Sequence, residues 1–308
     1  MSETSALMDT LRQEGISPDL LRAVEEYRAS HELSEALRPR IPSPAFVYYG
    51  REVWEQALAA LLCGENLLLA GGKATGKNVL AENLAAAFGR PAWDISFHVN
   101  MDAASLIGMD TFEGGQVKFR PGPVYRCAQS GGFGVLDEIN MAKNEALAVL
   151  HAVLDFRRAI DVPGYDRIEL HPAARFIGTM NYGYAGTKEL NEALVSRFMV
   201  INMPTLTQDD LIKILDTAVP GATSASLEQF AGLFLDLQTK AKNGEISTKP
   251  VDLRGMIGSL KLIRGGPPPK PAVTMGITNK CFDGFEQEIV DDIVLTRIPE
   301  SWSSRDVF

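Results

Sequence analysis

Cysteine is scarce in this chain: three residues in 308, at Cys63, Cys127 and Cys281. They are odd in number, far apart and never in a C-x-x-C pair, which argues against a disulfide framework or a zinc site and for a reducing compartment. The four histidines are scattered and offer no metal cluster. No apolar run approaches the ~18 residues that a membrane-spanning helix needs. The first forty residues hold many charges and no apolar stretch of signal-peptide length. Positive charge is in deficit too, with 30 Lys and Arg against 39 Asp and Glu and a net charge of -9. No global positive field therefore attracts nucleic acid, although a local basic groove stays open. There is no internal repeat. These absences describe a soluble, cytoplasmic protein with no membrane partner.

What is present is ordinary in bulk and specific in detail. The chain is long enough for about two domains, and 45% hydrophobic with 22% charged residues is globular composition. Residues 1–45 read as a helical prefix: Ser17-Pro18-Asp19 starts a helix with Leu20, Leu21, Val24 and Tyr27 on one face. It is expected either to pack on the main domain or to act as a partner-docking arm. Ile41-Pro42-Ser43-Pro44 then breaks the chain. Residues 46–204 alternate short apolar strands with helices, the pattern of a parallel α/β sheet. The strands are expected at Asn66–Ala70, Ala92–His98, Phe133–Asp137, Arg175–Met180 and Met199–Met203. Hairpin-like insertions are expected at Asp110–Phe119, turning at Gly114-Gly115, and at Ile160–Leu170, turning at Pro163-Gly164. Residues 205–296 show helical periodicity only, so a second, all-α domain is expected there. Residues 297–308 form a tail, of which Glu300–Phe308 is expected to be poorly ordered.

The strongest chemical signal is Gly71-Gly72-Lys73-Ala74-Thr75-Gly76-Lys77-Asn78, which follows the apolar run Asn66–Ala70. It fits the phosphate-binding loop G-x-x-x-x-G-K-[ST] at every position but the last. Its glycines let backbone N–H groups curl round a polyphosphate. The next helix adds its positive end, and Lys77 adds a point charge. The eighth position usually offers a hydroxyl to Mg²⁺; here Asn78 offers an amide. About sixty residues later Gly134-Val135-Leu136-Asp137-Glu138 is a buried strand ending in two carboxylates. Asp137 suits Mg²⁺ and Glu138 suits polarising a water, on opposite faces of the strand. Arg175–Asn181 is a further buried strand whose terminal amide, Asn181, could orient that water. Arg197, at a helix end before the last strand, suits charge stabilisation from a neighbouring subunit. Arg254 opens a helix of the second domain, from which it could reach a nucleotide.

In this order these residues resemble an AAA+ ATPase over about residues 46–295. The resemblance assigns Lys77, Asp137 with Glu138, Asn181, Arg197 and Arg254 to the Walker A, Walker B, sensor 1, arginine-finger and sensor 2 positions. Phe119-Arg120-Pro121-Gly122-Pro123-Val124, Asp137-Glu138-Ile139-Asn140-Met141-Ala142 and Gly178-Thr179-Met180-Asn181 are similar to the MoxR and dynein-related branch. The two insertions match that branch's helix-2 and pre-sensor-1 inserts. The resemblance implies a P-loop core with a helical lid, ATP and Mg²⁺ as ligands and ATP hydrolysis. It further implies a homo-oligomeric, hexameric ring and a protein client, in some members a von Willebrand A-type protein. Arg254 is then expected to act in cis or in trans.

Four other readings compete, one of them a small-molecule kinase, which would not need the Glu138, Asn181 and Arg197 set. GTP hydrolysis would call for N-K-x-D, but Asn279-Lys280-Cys281-Phe282-Asp283 has one residue too many and follows no strand. A nucleic-acid motor would use the hairpin around Gly114-Gly115, where Lys118 and Arg120 face Asp110 and Glu113. Phosphate backbones normally recruit several cations, so this balance favours a protein client. Phe112 and Phe119, at the hairpin base, are read either as pore-lining or as core. A nucleotide-dependent switch with little turnover would explain Asn78 alone.

Overall fold

The computed structural model describes residues 3–162, 164–182 and 189–308. The chain divides into two compact units, one of Met1–Gly72 with Gly76–Pro204, the other of Lys73–Thr75 with Thr205–Phe308.

The first unit begins with α1 (Glu3–Gln13), α2 (Pro18–Ser30) and α3 (Arg51–Leu62). There follow β1 (Leu67–Gly71), α4 (Lys77–Ala87), β2 (Ala92–Ser96), α5 (Ala103–Ile107), the hairpin strands β3 (Gly108–Glu113) and β4 (Gln116–Pro121), α6 (Pro123–Ser130) and β5 (Phe133–Asp137). Two short helices, α7 (Asn144–Leu147) and α8 (Leu150–Leu154), lead to β6 (Ala159–Ile160), β7 (Ile168–Glu169), β8 (Arg175–Asn181), α9 (Glu192–Val195) and β9 (Met199–Asn202). Five strands form one parallel sheet in the order β2-β5-β8-β1-β9. β1 is buried along its whole length, as a parallel strand covered on both faces should be. Side chains alternate across it: Leu67 and Leu69 join the core on one face, Leu68 the core on the other.

Leu7, Leu11, Leu21 and Val24 of the prefix share the first of these cores with Leu58, Leu84 and Phe88. The Tyr27 hydroxyl donates to the Ala173 carbonyl at 2.8 Å. The prefix is a packed part of this unit. β3 and β4 pair antiparallel with Glu113 opposite Gln116. Phe112 is 75% exposed and pairs with Val117 next to the turn, so it is neither core nor at the hairpin base expected of it. Phe119 is half-buried, with its ring 5.2 Å from Tyr125 and 5.0 Å from Tyr165. β6 and β7 pair briefly; Pro163, expected at their turn, lies outside the described residues.

The second unit holds α10 (Gln208–Ala218), α11 (Ser224–Lys242), α12 (Leu253–Arg264), α13 (Pro269–Gly276), α14 (Gly284–Arg297) and α15 (Ser304–Val307). Leu211, Leu215, Phe230, Phe234, Leu260, Val273 and Val294 are fully buried. Asn279 and Lys280 lie on a 3-10 turn in this helical unit. The tail corrects the expectation of disorder. Ser303 and Asp306 form a capping box, Val307 is fully buried, and the Val307 carbonyl accepts from Thr223 N–H at 2.8 Å and Ser226 Oγ at 3.0 Å. One apolar residue and one carbonyl are too small a signal to register as periodicity, yet enough to dock a single turn.

Candidate nucleotide site

Parallel pairing brings the distant chemical segments together. β8 lies between β1 and β5, with Asn181 opposite Gly71 and Gly178 opposite Leu136. The ends of the three strands therefore deliver Lys77, Asp137, Glu138 and Asn181 to one edge of the sheet, the place where open α/β sheets bind ligands.

Lys77 is the first residue of α4 and is buried; its Nζ donates to the carbonyls of Gly71 at 3.0 Å and Gly72 at 2.6 Å. Burial lowers its ammonium pKa to about 8, against the opposing pull of Asp137 and Glu138. Asp137 Oδ1 accepts from Thr179 Oγ1 at 2.7 Å and from Asn78 Nδ2 at 3.0 Å. Glu138 has a left-handed backbone, φ 53° and ψ 45°, which costs a residue with a side chain about 1–3 kcal/mol and persists only where its surroundings demand it. Here they do. The Glu138 N–H donates to Thr179 Oγ1 at 3.0 Å, and Glu138 Oε1 accepts from Asn181 Nδ2 at 2.9 Å.

Two contributors escaped the sequence reading. Thr179 is a buried hydroxyl that ties the two carboxylate residues together. Its only signal was its spacing, two residues before Asn181 and so on the same face of the strand. Asn140 is buried and donates from Nδ2 to the Asn181 carbonyl at 3.0 Å. A polar residue between Ile139 and Met141 was the available hint.

The remaining predicted residues are placed elsewhere. Arg197 precedes β9, and Met199 pairs with Leu67, the first residue of β1. Lys77 lies beyond the last residue of β1, so about five residues at ~3.3 Å each, roughly 16 Å along the strand, separate the two ends. Arg197 Nε donates to the His151 carbonyl at 3.1 Å, Nη1 to the Ala193 carbonyl, and Nη2 to Asp155 at 3.3 Å. It does not join the Lys77 cluster of its own chain. Lys73 belongs to the second unit, where its Nζ donates to the Thr248 carbonyl at 3.1 Å; Ala74 has φ 61°. Arg254 is exposed at the start of α12, its N–H donating to Asp252 Oδ1 at 3.0 Å.

The donor set suits a hard divalent cation held jointly with phosphate oxygens: Asp137 supplies a carboxylate, and Asn78 an amide beside it. Among the described residues no group of three His, Cys, Asp or Glu side chains converges as a metal site, here or elsewhere. No helix among them is long and apolar enough to cross a membrane.

The chain is similar to known proteins. Residues 66–198 match the family model for the AAA domain of the dynein-related subfamily. The Bacillus subtilis protein YojN is 32% identical over 301 residues, covering 96% of this chain and 97% of its own. Protein SH1500 of Staphylococcus haemolyticus is 34% identical over 255 residues, covering 81% of this chain and 97% of its own. A crystal structure from Cytophaga hutchinsonii aligns over 92% of this chain and 89% of its own, at 14% identity and a TM-score of 0.45. With its phosphate loop, paired carboxylates and terminal asparagine on adjacent strands, the stretch 66–198 is an AAA domain of the dynein-related subfamily, and the chain belongs to one family with YojN and SH1500.

Proposed function

We propose that this protein hydrolyses ATP and uses the energy, as a MoxR-like hexameric ring, to remodel a protein partner. The observation that carries this reading is the contact between Glu138 and Asn181, 2.9 Å apart at the strand edge that also bears Lys77 and Asp137. An acid held by an amide beside a phosphate loop is suited to preparing a water, which storage of a nucleotide would not require.

Lys77 and the backbone N–H groups of Gly71, Gly72, Lys73, Ala74, Thr75, Gly76 and Asn78 would hold the phosphates. Asp137 and Asn78 would hold Mg²⁺, which when bound neutralises charge on the phosphate oxygens. Glu138 would take the proton of the attacking water while Asn181 fixes its direction. Arg197 of a neighbouring copy would stabilise the transferring phosphoryl group, since within one chain it sits at the far end of the sheet. Arg254 is the candidate for a second phosphate contact, in cis or in trans. The β3–β4 hairpin supports a protein client: Phe112 and Val117 are cross-strand partners, 75% and 63% exposed, at a tip with few cations. A von Willebrand A-type protein is one such client.

Measured beside wild type, Glu138→Gln is expected to lose at least about 100-fold in ATP turnover while still binding ATP. Equal, near-zero rates in both would instead favour a slow nucleotide switch. That second reading has its own support in Asn78, whose amide N–H is committed to Asp137. Mass photometry with ATP and Mg²⁺ tests the ring. A steeply salt-dependent gel shift with DNA would replace the protein client with nucleic acid.

A further inference from the structure

Residues 46–50 form a strap that runs past the start of α4 just before α3 begins. Three hydrogen bonds hold it. The Tyr48 N–H donates to Asn83 Oδ1 at 2.9 Å, Asn83 Nδ2 donates to the Phe46 carbonyl at 2.8 Å, and Trp54 Nε1 donates to the Tyr48 carbonyl at 2.8 Å. Asn83 lies on α4 and Trp54 on α3, and both are buried. The strap is thus tied to both helices through side chains that have no water to turn to.

The Tyr48 side chain, itself buried, lies between two glycines. Gly50 is the N-cap of α3 with φ 141°, and Gly76 is the N-cap of α4 with φ 80°. A Cβ on Gly76 would stand 2.9 Å from Tyr48 Cδ2, and one on Gly50 would stand 3.0 Å from Cε1. Gly76 has no room for a side chain while the ring is there, and at Gly50 the ring would have to give by a few tenths of an ångström. Gly76 makes no side-chain capping bond to α4, and glycine is the residue least able to hold its own backbone in place. The neighbouring ring supplies the restraint that the glycine-rich loop lacks.

We propose that Tyr48 is a positioning residue for nucleotide binding. Its ring is a wedge between the N-caps of α3 and α4 that holds Gly76, and with it Lys77 and the amides at the start of α4, at the spacing a polyphosphate needs. Asn83 sets the wedge by gripping the strap on both sides of Val47. The inference rests on the reading of Gly71–Asn78 as an ATP site and adds a determinant of its affinity. Tyr48 is not among the groups that hold Asp137, Glu138 or Asn181, so removing the ring should loosen binding more than it slows the chemistry.

The test titrates full-length wild type, Tyr48→Phe and Tyr48→Leu with a ribose-labelled fluorescent ATP in Mg²⁺, and measures kcat and KM for ATP. Tyr48→Leu is expected to raise Kd and KM about tenfold or more with kcat within about threefold, and Tyr48→Phe, which keeps the ring, to stay within about threefold throughout. An unchanged Kd for Tyr48→Leu, or a loss confined to kcat, overturns the wedge. Should Tyr48→Leu not fold, Tyr48→Met, close to leucine in volume but unbranched and better able to fill an irregular gap, is judged by the same criteria. A second measurement is independent of nucleotide: amide hydrogen exchange over residues 76–80 should quicken about tenfold in the variant, with α10 unchanged. Equal exchange there overturns the proposal. If wild type binds no labelled ATP, the ATP site itself is refuted, and the exchange result alone decides whether Tyr48 restrains Gly76.

Discussion

The two ends of the first unit's sheet use charge in different ways. At the end where β1, β5 and β8 terminate, Lys77 rests on the carbonyls of Gly71 and Gly72, while Asp137, Glu138 and Asn181 are joined through Thr179 and the Glu138–Asn181 bond, and the backbone of Glu138 is strained to allow it. At the end where the strands begin, arginines hold backbone carbonyls. Arg90, 1% exposed, donates to Gly131 at 2.7 Å and to His31 at 2.9 Å. Arg175 donates to the carbonyls of Leu61, Pro172 and Ala174. Both ends hold a cation on carbonyls, but only beside Lys77 do two carboxylates and an amide stand ready to exchange protons and share a phosphate with it. Arg197 belongs by position to the structural end; in the ring proposed above, a second copy of the chain would give its charge a chemical task.

Arg197→Ala tests that assignment with the largest effect. Turnover should fall at least ~100-fold, as for other trans-acting arginines. Mixing it with Glu138→Gln should restore part of the activity, because each supplies what the other lacks. No recovery in mixed assemblies would return Arg197 to a purely structural role. Arg90→Ala sharpens the other side of the comparison: leaving buried carbonyls unpaired should cost about 3 kcal/mol, or roughly a 10 °C lower melting temperature. The folded fraction should bind ATP with unchanged affinity, and a weakened affinity would mean that the two ends are not separable.

The pH dependence probes the chemical end alone. Burial depresses the Lys77 pKa to about 8, so its charge is present below that pH and lost as pH rises through it. In the unfolded chain the ammonium stays charged to about 10.5. Phosphates favour the charged form, so ATP binding above pH 8 must take up a proton, and Kd should weaken towards about tenfold per pH unit. Titrations between pH 7 and 9.5 measure it; a flat profile would mean that the ammonium keeps its charge in the free protein. The smallest effect is expected at Asn78. Asn78→Thr exchanges an amide bound to Asp137 for a shorter hydroxyl, and Mg²⁺-dependent turnover should rise about threefold, on the order of 0.6 kcal/mol. No rise would leave the amide as good a ligand as the hydroxyl.

Legibility followed the range of the interaction. β5 has the boundaries expected of it, because a bounded apolar run is a local signal. The phosphate loop was legible for the same reason. The tail was misread because its order depends on one buried valine and a capping box. Thr179 and Asn140 were silent because their partners lie 41 or 42 residues away in sequence.

By itself the sequence determined the types of element, the side chains available for phosphate and water, and the single departure at Asn78, all of which depend on neighbours within a few positions. Tertiary structure alone decided which of those side chains meet. Parallel register puts Asn181 beside Gly71 and within reach of Glu138, sends Arg197 to the opposite end, and wedges Tyr48 between two glycines. Register between parallel strands is set by packing both faces of the sheet at once, and no window of sequence contains both faces.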